Sequence, residues 1–170
     1  MLTKKGVIQI CDFGSSKVLD KSGKNTPYIV SRYYRAPELI MCVTDYDVSI
    51  DIWAAACILA ELYLCEPIFK GKTEGDQLLA ILKILGNFSP RENKEFEQRV
   101  PFNFSILEKF QNSEQKDLKE MFFEAEDAEN LVDLLKKMLC YLPEDRISAE
   151  EALHHPFFKE VREKEINFKC

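Results

Sequence analysis

The sequence has few of the residues that build metal sites and nucleic-acid-binding surfaces. Its two histidines, His154 and His155, are adjacent, so they do not share a helical face, and no cysteine lies near them in sequence. The lysines and arginines form no dense run, and the 170 residues carry a net charge of −6. These features argue against a zinc site, and we expect neither a nucleic-acid partner nor a membrane partner.

Paired cysteines are also missing. The cysteines form no C-x-x-C pair, follow no signal peptide and lie mostly in apolar runs, at positions 11, 42, 57, 65, 140 and 170. We therefore expect reduced thiols and a cytoplasmic or nuclear protein. Glycine and proline are scarce, with six and seven residues, so the chain has the composition of a globular protein that buries one core.

Apolar patterning predicts a mainly α-helical chain that opens with a short strand. Val7 to Cys11 is typical of a buried strand, which predicts a short β-hairpin or strand pair at the N-terminus. Residues 52–64 contain one charged side chain, Glu61, which predicts a helix surrounded by protein and too short to cross a bilayer. Asp51 is expected to cap the free N–H groups of this helix.

Two further helices begin with capping signals. Thr73 precedes an amphipathic pattern that Gly86 ends, and Ser148-Ala149-Glu150-Glu151 has the spacing of a capping box. Gly71-Lys72-Thr73 also matches the end of a phosphate-binding loop. That loop needs a glycine at position 66, which is Glu, so we interpret Thr73 as a helix start.

The stretch between these helices is less regular. Residues 87–127 follow no single period and fit an insertion packed on a helical lobe. After it, an amphipathic helix is predicted by the spacing of Leu131, Leu134, Leu135 and Met138.

Four motifs occur in a fixed order along the chain. Asp12-Phe13-Gly14 follows the predicted strand, "SRYYRAPELI" spans 31–40, Asp51-Ile52-Trp53 comes next, and "PEDRISAEEALHHPFF" spans 143–158. In this order they resemble the second half of a eukaryotic protein kinase domain. The sequence is similar to the CMGC group of kinases and, within it, to the shaggy/glycogen synthase kinase family.

This resemblance implies a C-terminal lobe fragment of a protein kinase domain over residues 1–170. It places an activation segment at 12–38, a helical lobe at 39–160, an insertion at about 87–127 and a short charged tail at 161–170. In the family, the sides of the apolar helix are partly covered by a helix that this chain lacks. We therefore expect exposed apolar surface and poor solubility.

The resemblance also implies roles for individual residues. Asp12 would hold a Mg²⁺ ion that bridges the phosphates of ATP, with an ordinary turn after a strand as the alternative. Tyr28 matches the activation-loop tyrosine that the family phosphorylates, with Arg32 as partner of the phosphate and Ser31 lining the next substrate pocket. The alternative is an unmodified tyrosine packed on the loop. Lys17 matches a residue that holds a phosphate of a pre-phosphorylated substrate, or is simply a solvated loop lysine.

Other motif positions are structural in the family. Glu38 and Arg146 match a buried salt bridge between the end of the activation segment and the helical base. Ala56 stands where the family usually has glycine, which adds a methyl group to a close backbone contact. The remaining motif positions are Phe13, Gly14, Ala36, Pro37, Asp51 and Trp53.

The implied function is that of a protein serine/threonine kinase, with ATP and a protein hydroxyl as substrates and Mg²⁺ as cofactor. The sequence contains neither a G-x-G-x-x-G loop nor the H-R-D-L-x-x-x-N loop with its catalytic aspartate. No complete set of catalytic residues is therefore present, and we expect a truncated chain that is inactive alone. A non-catalytic, pseudokinase-like or remnant interaction module is the alternative.

Overall fold

The computed structural model describes Lys4, residues 9–16, 18–19, 31–99 and 116–168, with side chains up to residue 163. Within these residues the chain is mostly helical and has no β-strand, which confirms the mainly α prediction. The predicted N-terminal strand pair is not confirmed, because residues 9–12 have no regular structure and residues 7 and 8 lie outside the described part.

Five of the described helices have ten or more residues, and the other three have four to six. In chain order they are α1 (Pro37–Ile40), α2 (Ser49–Leu64), α3 (Glu74–Leu85), α4 (Pro90–Arg99), α5 (Leu118–Met121), α6 (Ala128–Met138), α7 (Ala149–His154) and α8 (Lys159–Phe168). Single 3₁₀ turns lie at Phe13–Ser15, Arg32–Tyr34, Pro143–Asp145 and Pro156–Phe158. Among the described residues, no helix has both the length and the apolar character needed to cross a membrane.

Helix α2 buries one face in the core. Trp53, Ala56, Cys57 and Ala60 recur at helical spacing, are at most 1% exposed, and lie on the side that packs against α6. Helix α6 buries its own apolar stripe, as its spacing predicts, with Leu131, Leu134, Leu135 and Met138. The methyl group of Ala56 is therefore accommodated inside the core.

The opposite face of α2 is exposed to solvent. Ile58 is 52% exposed and Leu62 67% exposed, and Ala55 and Asp51 on the same face are also exposed. The prediction that protein surrounds this helix is therefore wrong for the described residues, whereas the expected exposed apolar surface is present. Helical spacing at 51, 55, 58 and 62 makes this surface a continuous stripe.

The predicted cap of α2 by Asp51 is also wrong. The helix begins at Ser49, so Asp51 lies in its first turn, where a carboxylate still favours the helix dipole. Asp47 carries out the predicted role instead, because its Oδ1 accepts a hydrogen bond from the Ser49 N–H at 2.8 Å. The apolar pattern predicted the start of α2 to within one turn, but it did not predict the first residue of the helix.

The two predicted helix starts are confirmed. Thr73 Oγ1 accepts from the Asp76 N–H and Asp76 Oδ2 accepts from the Thr73 N–H, both at 3.1 Å. Ser148 and Glu151 make the same reciprocal pair, at 3.2 and 2.9 Å. Each capping box satisfies backbone N–H groups that the first helical turn leaves unpaired.

Helix α2 ends on a strained residue. Cys65 follows its last turn with φ 55° and ψ 18°, a left-handed conformation that glycine normally occupies at this position. We expect Cys65→Gly to raise the free energy of unfolding by about 0.5–1 kcal/mol, because relief of the Cβ clash outweighs the greater freedom of unfolded glycine. Chemical denaturation measures this change. Cys65→Ala removes the thiol but keeps Cβ, and an equal gain from that variant would contradict the explanation.

Candidate functional site

Asp12 has a backbone conformation that few residues adopt. Its φ and ψ are 62° and 68°, in the left-handed region, which aspartate tolerates better than most residues other than glycine. The chain then makes a 3₁₀ turn closed by the Ser16 N–H and Oγ, which both donate to the Phe13 carbonyl, at 3.0 and 2.7 Å. A Cβ at Gly14 would lie 3.3 Å from Asp12 Oδ1, so glycine leaves room for the carboxylate.

The Asp12 carboxylate is available to a ligand. It is exposed and makes no hydrogen bond or ion pair with any described residue. Phe13 beside it is also exposed, at 67%. Strained backbone at an exposed acidic residue is a feature of functional sites.

The segment from Ser31 to Glu38 is fixed to the helical lobe by its polar side chains. Ser31 is exposed and directly precedes the 3₁₀ turn Arg32–Tyr34. Arg32 donates from Nη1 to the Lys72 carbonyl at 2.8 Å, and its Nε lies 3.6 Å from Glu74 Oε1. These contacts join the segment to the loop that leads into α3.

Arg35 makes the more deeply buried contact with α3. It is 4% exposed, and its Nη1 donates to Glu74 Oε1 at 2.8 Å. Glu74 is the first residue of α3, so one carboxylate joins both Arg32 and Arg35 to the same helix end. Charge-assisted hydrogen bonds of this kind are stronger than neutral ones.

Two further contacts hold the segment. The Tyr34 hydroxyl donates to Glu61 Oε2 on α2 at 2.8 Å, and this hydrogen bond together with partial burial raises the pKa of the hydroxyl above its usual value. Gln77 is fully buried, lies 3.4 Å from the Tyr33 carbonyl, and accepts from the Gly71 N–H at 2.8 Å. A Cβ at Gly71 would lie 2.2 Å from the Gln77 backbone nitrogen, so only glycine permits this approach.

Glu38 and Arg146 form a buried ion pair in a two-pronged geometry. Arg146 Nη1 and Nη2 donate to Glu38 Oε1 and Oε2, each at 2.7 Å, and the side chains are 1% exposed or less. The pair joins α1, at the end of the segment, to the residue that follows the 3₁₀ turn Pro143–Asp145. The contact spans 108 positions in sequence.

The remaining donors of Arg146 are also satisfied. Its Nε donates to the Cys140 carbonyl at 2.9 Å, Nη2 to the Tyr141 carbonyl at 3.1 Å, and Nη1 approaches the Ser49 carbonyl at 3.3 Å. The guanidinium carbon lies 5.2 Å from the centroid of the Trp53 ring, a cation–π distance. A buried charge is tolerated when all its donors are paired in this way.

Several residues of the site were not singled out by the sequence motifs. Arg35, Glu61, Glu74 and Gln77 all hold the segment. Arg35 lies within the motif at 31–40, but no role was predicted for it, and the other three belong to none of the quoted motifs. The one signal in the sequence was Glu61, the only charged residue between positions 52 and 64, because a charged side chain in an apolar stretch needs a partner.

Two predicted site residues lie outside the described part of the chain, namely Lys17 and Tyr28. Within the described residues, no three His, Cys, Asp or Glu side chains are grouped closely enough to hold a metal ion. Asp12 would therefore offer a metal ion one carboxylate, without a cluster of further described ligands around it. Such a residue fits a metal that takes most of its ligands from phosphates and water, which is the usual preference of Mg²⁺.

The sequence is similar to a known protein family and to several fungal proteins. The family model described as "Protein kinase domain" matches residues 1–158. "Protein kinase gsk3" and "Protein kinase gsk31" of Schizosaccharomyces pombe are 45% and 41% identical over 94% and 98% of the chain. "Glycogen synthase kinase 1" of Pyricularia oryzae is 40% identical over 92% of it. The match covers 40%, 42% and 38% of these relatives, so the chain spans about two fifths of their length.

Proposed function

Since the chain belongs to the protein kinase family and, within the CMGC group, to its shaggy/glycogen synthase kinase family, we propose that it forms the metal- and substrate-holding part of a serine/threonine kinase. The observation that carries this proposal is the Glu38–Arg146 pair. It fixes the end of the segment Ser31–Glu38 to the helical base, and every donor group of its arginine is paired. A buried ion pair adds little to the free energy of unfolding, because an apolar replacement is often as stable. We therefore attribute the pair to the need to hold this segment in one position.

We assign Asp12 to the magnesium ion of bound ATP. Bound Mg²⁺ would supply charge neutralisation to the nucleotide phosphates, which is a large part of catalysis in phosphoryl transfer. The contribution of this chain is to present one exposed carboxylate on a fixed left-handed turn, with Gly14 leaving the space beside it open. The N–H and hydroxyl of Ser16 hold that turn by donating to Phe13.

The proposal extends to the protein substrate. Ser31 would line the pocket next to the acceptor hydroxyl, and Lys17 would hold a phosphate already present on the substrate. Phosphorylation of Tyr28 would add about −1.5 to −2 charges near Arg32. Arg32 already donates to the Lys72 carbonyl, so it is held at the edge of the segment before any phosphate arrives.

A second candidate is a non-catalytic interaction module. The exposed stripe of α2, with Ile58 and Leu62, offers apolar surface for a partner. The two candidates predict different results when the chain is joined to the upstream part of a kinase domain. The kinase candidate predicts phosphoryl transfer, and the interaction module predicts none.

A chimera separates the two. The part of S. pombe Protein kinase gsk3 upstream of the matched region is joined to residues 1–170, and the transfer of labelled phosphate from ATP to protein serine or threonine is measured. We expect magnesium-dependent transfer by the chimera and none by the 170 residues alone, since they lack a catalytic aspartate. A folded chimera without activity would favour the interaction module, and activity of the isolated chain would show that the assigned division of residues is wrong.

A further inference from the structure

Two arginines of the segment Ser31–Glu38 share one carboxylate oxygen. Glu74 Oε1 accepts a hydrogen bond from Arg35 Nη1 at 2.8 Å and lies 3.6 Å from Arg32 Nε. Two guanidinium groups this close to each other repel unless an anion lies between them. The Glu74 carboxylate is therefore the counter-ion that allows both arginines to lie at the same end of α3.

Burial makes a counter-ion necessary. The Arg35 side chain is 5% exposed, and a buried charge is costly unless it is paired. The Arg32 side chain is 35% exposed, and its Nη1 also donates to the Lys72 carbonyl at 2.8 Å. The charge of Glu74 therefore matters more to Arg35 than to Arg32.

The carboxylate does not use the full hydrogen-bonding capacity of this cluster. Within the described residues, Glu74 Oε2 and Arg32 Nε are buried atoms without a hydrogen-bond partner. Two guanidinium groups (+2) and one carboxylate (−1) leave a formal charge of +1 on Arg32, Arg35 and Glu74 together. Phosphate, with three acceptor oxygens and more charge, is a ligand that such arginine pairs bind well. The cluster is thus an anion site that the chain fills with its own carboxylate.

Helix capping alone does not explain the contacts of Glu74. A carboxylate in the first turn favours the helix dipole without any arginine partner, and Asp76 already caps α3 together with Thr73. Glu129, in the first turn of α6, is exposed and has no ion-pair partner among the described residues. Glu74 differs from it because its carboxylate meets two arginines of another segment.

We propose that Glu74 takes the place of an activating phosphate, so that the segment Ser31–Glu38 is fixed whether or not Tyr28 is phosphorylated. Tyr28 lies outside the described residues. The family resemblance assigns Arg32 to its phosphate, and that guanidinium already lies beside the Glu74 carboxylate. A phosphate would compete with this negative charge for the same arginines. The consequence for phosphoryl transfer rests on the proposed function, whereas the placement of Glu74 does not.

Hydrogen exchange in the 170-residue chain tests the placement of Glu74 without any need for activity. The N–H groups of Tyr34 and Arg35 close the 3₁₀ turn of the segment with hydrogen bonds of 3.2 and 3.1 Å, so their protection reports how firmly it is held. We expect Glu74→Gln to lower this protection by at least about tenfold, since a charge-assisted hydrogen bond is lost.

Inorganic phosphate provides a chemical rescue. Added at constant ionic strength, it should restore most of the protection in Glu74→Gln, because it supplies the missing anion to the two arginines. In the parent chain, where the carboxylate already occupies the site, phosphate should change protection by less than about twofold. A purely structural role of Glu74 would give no such rescue.

Glu129→Gln is the matched control. It removes one first-turn carboxylate and changes net charge equally, but it leaves the arginine pair intact. Protection of the segment Ser31–Glu38 should stay within about twofold of the parent, with or without phosphate. Thermal unfolding of each variant verifies its fold.

The chimera described above tests the consequence for the reaction. Each chimera is prepared with phosphotyrosine at position 28, and half of it is treated with a tyrosine phosphatase. Casein serves as the protein substrate. Dephosphorylation should lower kcat/KM for casein by less than about twofold in the parent and in Glu129→Gln, but by at least about tenfold in Glu74→Gln. KM for ATP should not change, whereas a general loss of structure would raise it.

Three results would overturn the proposal. No loss of protection in Glu74→Gln, or an equal loss in Glu129→Gln, would show that the arginine contact does not hold the segment. Equal protection of the parent and of Glu74→Gln by phosphate would show that the carboxylate does not occupy the site. An equal effect of dephosphorylation in both chimeras would show that Glu74 does not replace the phosphate. An inactive parent chimera would instead contradict the proposed function, and hydrogen exchange would still decide the placement of Glu74.

Discussion

Replacing Arg146 with alanine is expected to lower the free energy of unfolding by about 3–5 kcal/mol. The variant leaves the Glu38 carboxylate buried without its cation, and it removes the partners of the Cys140 and Tyr141 carbonyls. It also removes the guanidinium from the face of the Trp53 ring. Urea denaturation monitored by tryptophan fluorescence measures the change, because Trp53 is the only tryptophan in the sequence.

An exposed arginine provides the matched control. Arg91 makes an equally two-pronged contact with Asp145, with donor–acceptor distances of 2.9–3.1 Å, but its side chain is 60% exposed. Arg91→Ala should therefore cost less than about 1 kcal/mol. If both variants cost the same, burial is not the origin of the Arg146 effect. The double variant Glu38→Leu/Arg146→Met should recover part of the loss, since it leaves no charge unpaired.

The second large effect is expected at Asp12. In the chimera described above, Asp12→Asn should lower the rate of phosphoryl transfer by about 10²–10³-fold, because a metal contact of this kind contributes several kcal/mol. Asparagine keeps the size of the side chain and tolerates the left-handed backbone, so the fold should be retained. The initial rate at saturating ATP measures the loss.

Asp45→Asn is the control for the loss of one carboxylate. Asp45 is exposed, lies in the loop before α2 and is 33 positions along the chain from Asp12. We expect Asp45→Asn to keep the rate of the parent chimera to within about twofold, because an exposed charge at a distance is screened. If Asp12→Asn behaved like Asp45→Asn, the exposed carboxylate of Asp12 would have no part in the reaction.

The parts of the fold that the sequence predicted well depend on local rules. The capping boxes at Thr73 and Ser148 follow from residues three positions apart, and α6 follows from an apolar stripe at helical spacing. Cap assignment at α2 failed because two aspartates, Asp47 and Asp51, lie within one turn of its start. Sequence alone does not decide between them.

The contacts that hold the segment are long-range, and sequence patterns do not encode them. The Glu38–Arg146 pair was expected only through family resemblance, and Arg35–Glu74 and Tyr34–Glu61 were not expected at all. The apolar sequence of α2 predicted burial on all sides, but burial depends on what lies next to a helix. Among the described residues, its face at Ile58 and Leu62 is left more than half exposed.

The coupling between metal and nucleotide binding tests the assignment of Asp12 most directly. Affinity of the chimera for a non-hydrolysable ATP analogue is measured with and without Mn²⁺, which substitutes for Mg²⁺ at oxygen ligands. We expect Mn²⁺ to tighten nucleotide binding in the parent chimera, and Asp12→Asn to remove most of this tightening while metal-free affinity is unchanged. Equal tightening by Mn²⁺ in both proteins would show that Asp12 does not hold the metal.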